Sequence, residues 1–283
     1  MTRRAPTENR TDVWTDTALD AVEFLRADYR DLSFSPHVHE TYAIGIIEAG
    51  GQWFRPERHS ALVMPQGTLC VINPGTVHEG HAADQAGWRY RMFYPPVSLV
   101  ARALAEEGGP PQKELSFHTH VIDDAVLYRR YWQMHEASRS QASLLERESR
   151  MLMFLRTLFA RHTCAATDER PQAARVALVV KDFLHAYCED NINTVDLAKA
   201  AHVSETQVIR AFTKFAGLPP HAYLIGLKVE RARHYIRLGM SLAQASAQAG
   251  FADQSHLARH FKRITGQTPG QYAGAAARPA IPG

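Results

Sequence analysis

The stretch Val208-Ile209-Arg210-Ala211-Phe212-Thr213-Lys214-Phe215-Ala216-Gly217-Leu218-Pro219-Pro220-His221-Ala222-Tyr223 has a counterpart further along the chain. It is Leu257-Ala258-Arg259-His260-Phe261-Lys262-Arg263-Ile264-Thr265-Gly266-Gln267-Thr268-Pro269-Gly270-Gln271-Tyr272. Arg210, Phe212, Gly217, Pro220 and Tyr223 recur 49 residues later as Arg259, Phe261, Gly266, Pro269 and Tyr272, with Val208 matched by Leu257 and Lys214 by Arg263. So many matches at one offset mark an internal duplication. Each copy reads as helix, tight turn, helix. In the first, Thr194–Ala201 is followed by a turn at His202-Val203. Ser204 then caps Glu205–Ala216, and Gly217 ends it. In the second, Ser241 caps Leu242–Ala249, Gly250-Phe251 turn, Asp253 caps the next helix and Gly266 ends it. Pro219-Pro220 opens a connecting helix that runs to about Leu238, with Pro220 suited to a first turn.

Two helix-turn-helix units on one chain can read successive major grooves about one turn (~34 Å) apart. The helical period turns Val208, Phe212, Leu257 and Phe261 inward. Thr206, Gln207 and Arg210 lie on the opposite side, as do Gln254, Ser255, His256 and Arg259. Gln can pair with adenine and Arg with guanine through two hydrogen bonds each, while Ser and Thr adapt to several bases. Lys214, Lys262 and Arg263 are placed to touch phosphates. The charge agrees. Residues 1–170 carry 19 Lys+Arg against 22 Asp+Glu, and residues 171–283 carry 13 against 7, so a mildly acidic front joins a basic back.

Residues 174–273 resemble the DNA-binding domain of AraC/XylS-type transcription regulators. The matching stretches include Asp196-Leu197-Ala198, Val229-Glu230-Arg231-Ala232-Arg233, Gly250-Phe251, Gln254-Ser255-His256-Leu257 and Thr268-Pro269-Gly270-Gln271-Tyr272. Two positions depart from the pattern. His202 stands where the family usually has the turn glycine, and Gly226 interrupts the connecting helix.

The front half has a different texture. Tyr42–Ile47, Ala61–Met64, Thr68–Ile72 and Trp88–Tyr94 are short strand-like runs punctuated by Gly and Pro, as in a β-sandwich or barrel. Helical patterns follow at Val97–Glu107, Asp123–Ser138 and Gln141–His162. The last carries an apolar stripe suited to core packing or a dimer seam. His37-Val38-His39-Glu40 and Asn73-Pro74-Gly75-Thr76-Val77-His78 resemble the two short motifs of the cupin barrel. The AraC-type resemblance extends over residues 30–95 and implies a sensor barrel that binds a small molecule without a metal. His37, His39, Tyr42, Trp53, His78, Trp88, Arg89 and Arg91 are the candidate ligand-binding residues, and Arg89 and Arg91 share one face by period two. Aromatic faces can stack on a ligand, and Arg can clamp a carboxylate. His37, His39 and His78 form an alternative three-histidine metal set, although Ala43 and Ile44 stand where metal-binding cupins place a carboxylate.

The expected fold class is therefore α+β: a cupin-like β-barrel with flanking helices, then an all-α domain with two helix-turn-helix units. Residues 1–18 read as a flexible arm, 19–163 as the ligand-sensing and dimerisation domain, and 164–173 as a linker. Residues 174–273 read as the DNA-binding domain and 274–283 as a flexible tail. No run approaches the ~18 apolar residues of a membrane span, and Cys70, Cys164 and Cys188 show no CxxC spacing, so a reducing cytoplasm fits. No nucleophile–base–acid set occurs at a motif spacing, so no enzyme activity is expected. The expected partners are double-stranded DNA, a small-molecule effector, RNA polymerase and a second copy of the chain; no cofactor and no membrane are expected. Activation is the expected mode. The alternatives are a cupin metalloenzyme fused to a DNA-binding module, separable by metal content, and a constitutive DNA-binding protein whose barrel only dimerises.

Overall fold

A computed structural model describes residues 9–56, 60–105, 115–140, 142–165 and 172–276. The front half opens with β1 (Arg10–Asp16), β2 (Val22–Tyr29), β3 (Ser33–His37), β4 (Ala43–Pro56) and β5 (Leu62–Pro65). It continues with β6 (Leu69–Ile72), β7 (His78–Ala82) and β8 (Trp88–Tyr94). After α1 (Val97–Leu104) come β9 (Leu115–Phe117) and β10 (Val121–Ile122), then α2 (Ala125–Ala137), α3 (Leu144–His162) and β11 (Thr163–Ala165). The main sheet runs β1-β2-β8-β4-β6-β10, with all pairs antiparallel. The long strand β4 makes this sheet a barrel. Its first half pairs with β6 and β8, a bulge falls between Ile47 and Ala49, and its second half pairs with β5 and β7.

Alternation along the strands feeds two cores. Leu25, Tyr29, Phe54, Met64, Tyr90 and Met92 fill the barrel. Phe24, Ile44, Ile46, Leu69, Val71 and Phe93 face outward and are covered by α2 and α3 through Leu127, Tyr131, Phe154, Leu155 and Leu158. The α3 stripe divides. Met151, Phe154, Leu155, Leu158 and Phe159 are buried, whereas Leu144, Leu145, Leu152 and Met153 are exposed.

Three expected boundaries change. Residues 10–16 are not an arm but an edge strand, because Val13 and Trp14 are buried and the register with β2 is unbroken from Arg10↔Asp28 to Asp16↔Val22. The start of the expected linker is β11, paired with β9, and the first helix of the back half begins at Gln172. The last helix reaches Ala276, so 274–276 belong to it, while the rest of the expected arm (1–8) and tail (277–283) lies outside the described residues.

The back half holds α4 (Gln172–Ala186), α5 (Thr194–Ala201), α6 (Glu205–Ala216) and α7 (Pro220–Arg237), followed by α8 (Leu242–Gln248), α9 (Gln254–Thr265) and α10 (Pro269–Ala276). The duplication is visible in space. Phe212 meets Tyr223 with ring centroids 5.2 Å apart, and Phe261 meets Tyr272 at 5.4 Å. The turns differ in length. The N-caps Asn193 and Ser241 of α5 and α8 are 48 residues apart, as are the left-handed residues His202 (φ 52°) and Gly250 (φ 72°), whereas the caps Ser204 and Asp253 of α6 and α9 are 49 apart. The second turn thus holds one more residue, and His202 occupies the glycine position of the first. A left-handed non-glycine residue costs ~1–2 kcal/mol, partly offset by glycine's greater unfolded-state entropy. His202→Gly is therefore expected to stabilise the domain by about 0.5–1 kcal/mol. Gly250→Ala should do the opposite, since its Cβ would run into the Glu189 carbonyl. Urea midpoints check both, and a lower midpoint for His202→Gly would reject the reading.

Gly226 also has a reason. A Cβ there would lie 2.9 Å from Val38 Cγ1, so its absence lets α7 approach the barrel.

Candidate functional site

The two second helices present matching outer faces. In α6, Val208 and Phe212 are fully buried while Thr206, Gln207, Arg210 and Lys214 are exposed. In α9, Leu257 and Phe261 are fully buried while Gln254, Ser255, Arg259, Lys262 and Arg263 are exposed. Among the described residues, Arg210, Lys214, Arg259 and Lys262 are ion-paired with no carboxylate, and so are open to a polyanion. Two candidates are less open. Gln207 Oε1 accepts from the Ser204 backbone N–H and hydroxyl, both at 3.0 Å, which is the far side of a capping box. The Ser204-x-x-Gln207 spacing carried that signal. His256 is half-buried, edge-on to Phe251 at 5.3 Å and to His260 at 4.8 Å.

The barrel contains a cavity of about 70 Å³. His37, His39 and His78 line it, with Tyr90, Met92 and Tyr94 from β8. The three histidine rings are buried, with centroids 4.3–5.2 Å apart. Burial pushes His37 down to about 3, helped by His39, and pushes His78 well below the usual imidazole range, helped by His37 and His39.

The other sequence candidates lie elsewhere. Tyr42 faces the helices, donates to the Leu115 carbonyl at 2.7 Å and packs edge-on to Phe159. Trp53 stacks on His81 at 4.5 Å. Trp88 is buried against Tyr29, Phe34 and Tyr90 beside the cavity without lining it. Arg89 and Arg91 do share a face, but it is the outer one. Arg89 Nε lies 2.8 Å from Glu48, and Arg91 is ion-paired with Glu48 and Glu136. The large residues at 88, 90, 92 and 94 take the interior and leave the arginines outside.

Sequence reasoning missed the roof of the cavity, which comes from the helical domain: Arg233 of α7, Ile264 and Thr265 of α9, Gln267, and Tyr272 of α10. Beneath it Glu23, fully buried on β2, is ion-paired with Arg233, accepts from the Tyr272 hydroxyl and lies 2.8 Å from Arg237 Nη1. Glu230 bridges Arg233 Nη1 at 2.7 Å and His39 Nδ1 at 3.2 Å. Burial opposes ionisation of both carboxyls, yet Arg233 with Arg237 holds Glu23 below the usual range, and Arg233 with His39 does so for Glu230. Glu230, Arg233 and Arg237 sit at i, i+3 and i+7 on the barrel side of α7. Pairs so far apart in sequence leave no local signal.

A separate buried histidine gives the fold a pH dependence. His135 accepts from Arg91 Nη1 at Nδ1 (3.1 Å) and donates from Nε2 to the Leu25 carbonyl (3.2 Å). Burial first, and Arg91 second, push it well below the usual value. Its contribution to stability is present above ~6.5, the unfolded value, and is lost as pH falls towards the folded one. The wild-type stability should fall between pH 7 and 5 more steeply than that of His135→Gln, by up to ~1.4 kcal/mol per pH unit. Equal slopes in urea titrations would remove the assignment.

Known proteins show the same organisation. The family model for the AraC-like ligand binding domain matches residues 21–155, and that for a helix-turn-helix domain matches residues 197–275. The chain belongs to the AraC-type transcription regulators. It is similar to the HTH-type transcriptional regulator YbfI of Bacillus subtilis, with 28% identity over 79% of this chain and 81% of that one. It is also similar to the HTH-type transcriptional activator RhaS of Escherichia coli, with 20% identity over 89% and 95%. ToxT of Vibrio cholerae shares the fold across both domains, with TM-score 0.58, 10% identity and coverage of 96% of this chain and 99% of that one. A structure of ToxT with an unsaturated fatty acid bound superposes with the same TM-score. In this AraC-type regulator the ligand-binding model ends within α3 and the helix-turn-helix model spans both reading units, so the cavity and its roof belong to different modules. Among the described residues no helix is long and apolar enough to cross a membrane.

Proposed function

We propose that a small-molecule effector enters the barrel cavity and, by displacing its roof, resets the two DNA-reading helices. The observation that carries this reading is the shared wall: His37, His39 and His78 below, Arg233 and Tyr272 above. Ligand pockets commonly measure ~300–1,000 Å³. A cavity of about 70 Å³ cannot take an organic effector unless α7, α9 and α10 shift. Binding and domain position are then linked, and the linkage works in both directions. The fatty-acid-bound ToxT lends support, as a ligand-bound regulator of the same fold.

On the DNA side, Thr206, Gln207, Arg210, Gln254, Ser255, His256 and Arg259 read bases, while Lys214, Lys262 and Arg263 hold phosphates. The exposed Leu144, Leu145, Leu152 and Met153 of α3 form the seam of a homodimer. The regulator acts in the cytoplasm as an activator that contacts RNA polymerase, in keeping with the activator name of RhaS. Selection of bound DNA from a random pool at two salt concentrations tests the DNA reading. The expected result is an enriched site with two boxes about one turn apart and a steep loss of affinity with salt. Arg259→Ala should cost ~1–3 kcal/mol and relax one base position. Unchanged affinity and unchanged base preference would sink that role.

A further inference from the structure

We infer that His37, His39 and His78 form a binding site for a divalent transition metal, with Glu230 of the helical domain as the positioning partner of His39. The inference deepens the effector reading above, because the ion occupies the same cavity. One ring nitrogen from each histidine lies within 4.8 Å of one from each of the other two, and all three residues are buried. Each ring is held through Nδ1: His37 to the Ser35 carbonyl at 2.8 Å, His78 to the Thr76 carbonyl at 3.0 Å, and His39 to the Glu230 carboxylate at 3.2 Å. An oxygen at Nδ1 places the proton there and leaves the Nε2 lone pair for a metal. The same outer contact orients imidazole ligands in metal sites generally.

The lining chemistry selects the ion. Among the described residues no Asp or Glu lines the cavity. Oxygen-seeking Mg²⁺ and Ca²⁺ therefore find little there, whereas three imidazoles suit zinc, nickel, copper or iron. Three protein ligands leave coordination positions open, and Tyr94, Arg233 and Tyr272 line the same space. A space of about 70 Å³ holds an ion and a few attached atoms. Glu230 ties the site to DNA binding. A metal on Nε2 makes the Nδ1–H of His39 a stronger donor, and its acceptor stands on α7, between the two reading units.

The test uses the full chain without a polyhistidine tag, stripped with chelator and dialysed against Zn²⁺ or Co²⁺. One ion per chain is expected, with X-ray absorption of the zinc-loaded protein giving three imidazole nitrogens at ~2.0–2.1 Å. His37→Ala and His78→Ala should abolish uptake, and Glu230→Gln should weaken it ~10–100-fold. No stoichiometric uptake, a sulfur ligand, or fewer than three imidazoles in the wild type overturns the site, even where the histidine variants fail to fold. DNA affinity read in parallel separates the two ideas. Uptake with unchanged DNA affinity keeps the metal site and removes the sensor role. An organic effector that switches affinity in a protein taking up no metal does the reverse.

Discussion

Replacing Arg233 with alanine is expected to cost about 3–5 kcal/mol, because it strips the main counter-charge from the buried Glu23 and the half-buried Glu230. Glu23 would keep Arg237 and Tyr272, and Glu230 would keep His39, but neither set replaces a guanidinium that touches both acids. The guanidinium also lies over the rings of Tyr94 at 5.5 Å and Tyr272 at 5.4 Å, so packing is lost with the charge. The loss should fall on the junction between barrel and helices, read as faster protease cleavage between the domains and a lower urea midpoint. Glu23→Gln with Arg233→Met in one chain should cost clearly less than the sum of the single changes, since both charges of that pair go together and only Glu230 still loses its guanidinium. Additive effects would mean that the pair is not coupled.

Phe261→Ala is expected to cost a similar ~3–5 kcal/mol, by opening a cavity where α9 meets Tyr272. Its effect should reach beyond stability. Ile264 and Thr265 of the same helix line the roof, so a loosened α9 disturbs both DNA reading and the cavity. The matched change Phe212→Ala removes the corresponding contact with Tyr223 in the first unit, and no residue of α6 lines the cavity. Both variants should weaken DNA binding, but only Phe261→Ala should alter ligand response. An equal change of response in both would break the assigned division between the units.

The parts that were legible in the sequence are those written in local code. Caps at Ser204, Ser241 and Asp253 and the stop at Gly266 lie within a turn of what they control, and the echo of Phe212 in Phe261 repeats the same local pattern 49 residues on. The three histidines could be gathered because their motifs flank strands that a barrel brings together. Period two told that Arg89 and Arg91 share a face, but it carries no sign. The sign came from Tyr90, Met92 and Tyr94, whose bulk claims the interior. Residues 10–16 read as an arm because Arg, Asp and Thr outnumber Val13 and Trp14, the two apolar residues that β2 and the helices bury. The roof was unreadable, since Glu23 and Arg233 stand 210 positions apart and ordinary charges abound on both sides.

Helix α7 works as a ruler. Eighteen residues at ~1.5 Å each set roughly 27 Å of its length between the reading units, and one inserted residue would rotate one unit against the other by ~100°. The turns carry no such constraint, as the extra residue in the second one shows. The barrel grips this ruler from the side at Glu230, Arg233 and Arg237. A tilt imposed there swings both reading heads as one lever, so an effector would change the phase at which the protein meets the DNA rather than the chemistry of either head.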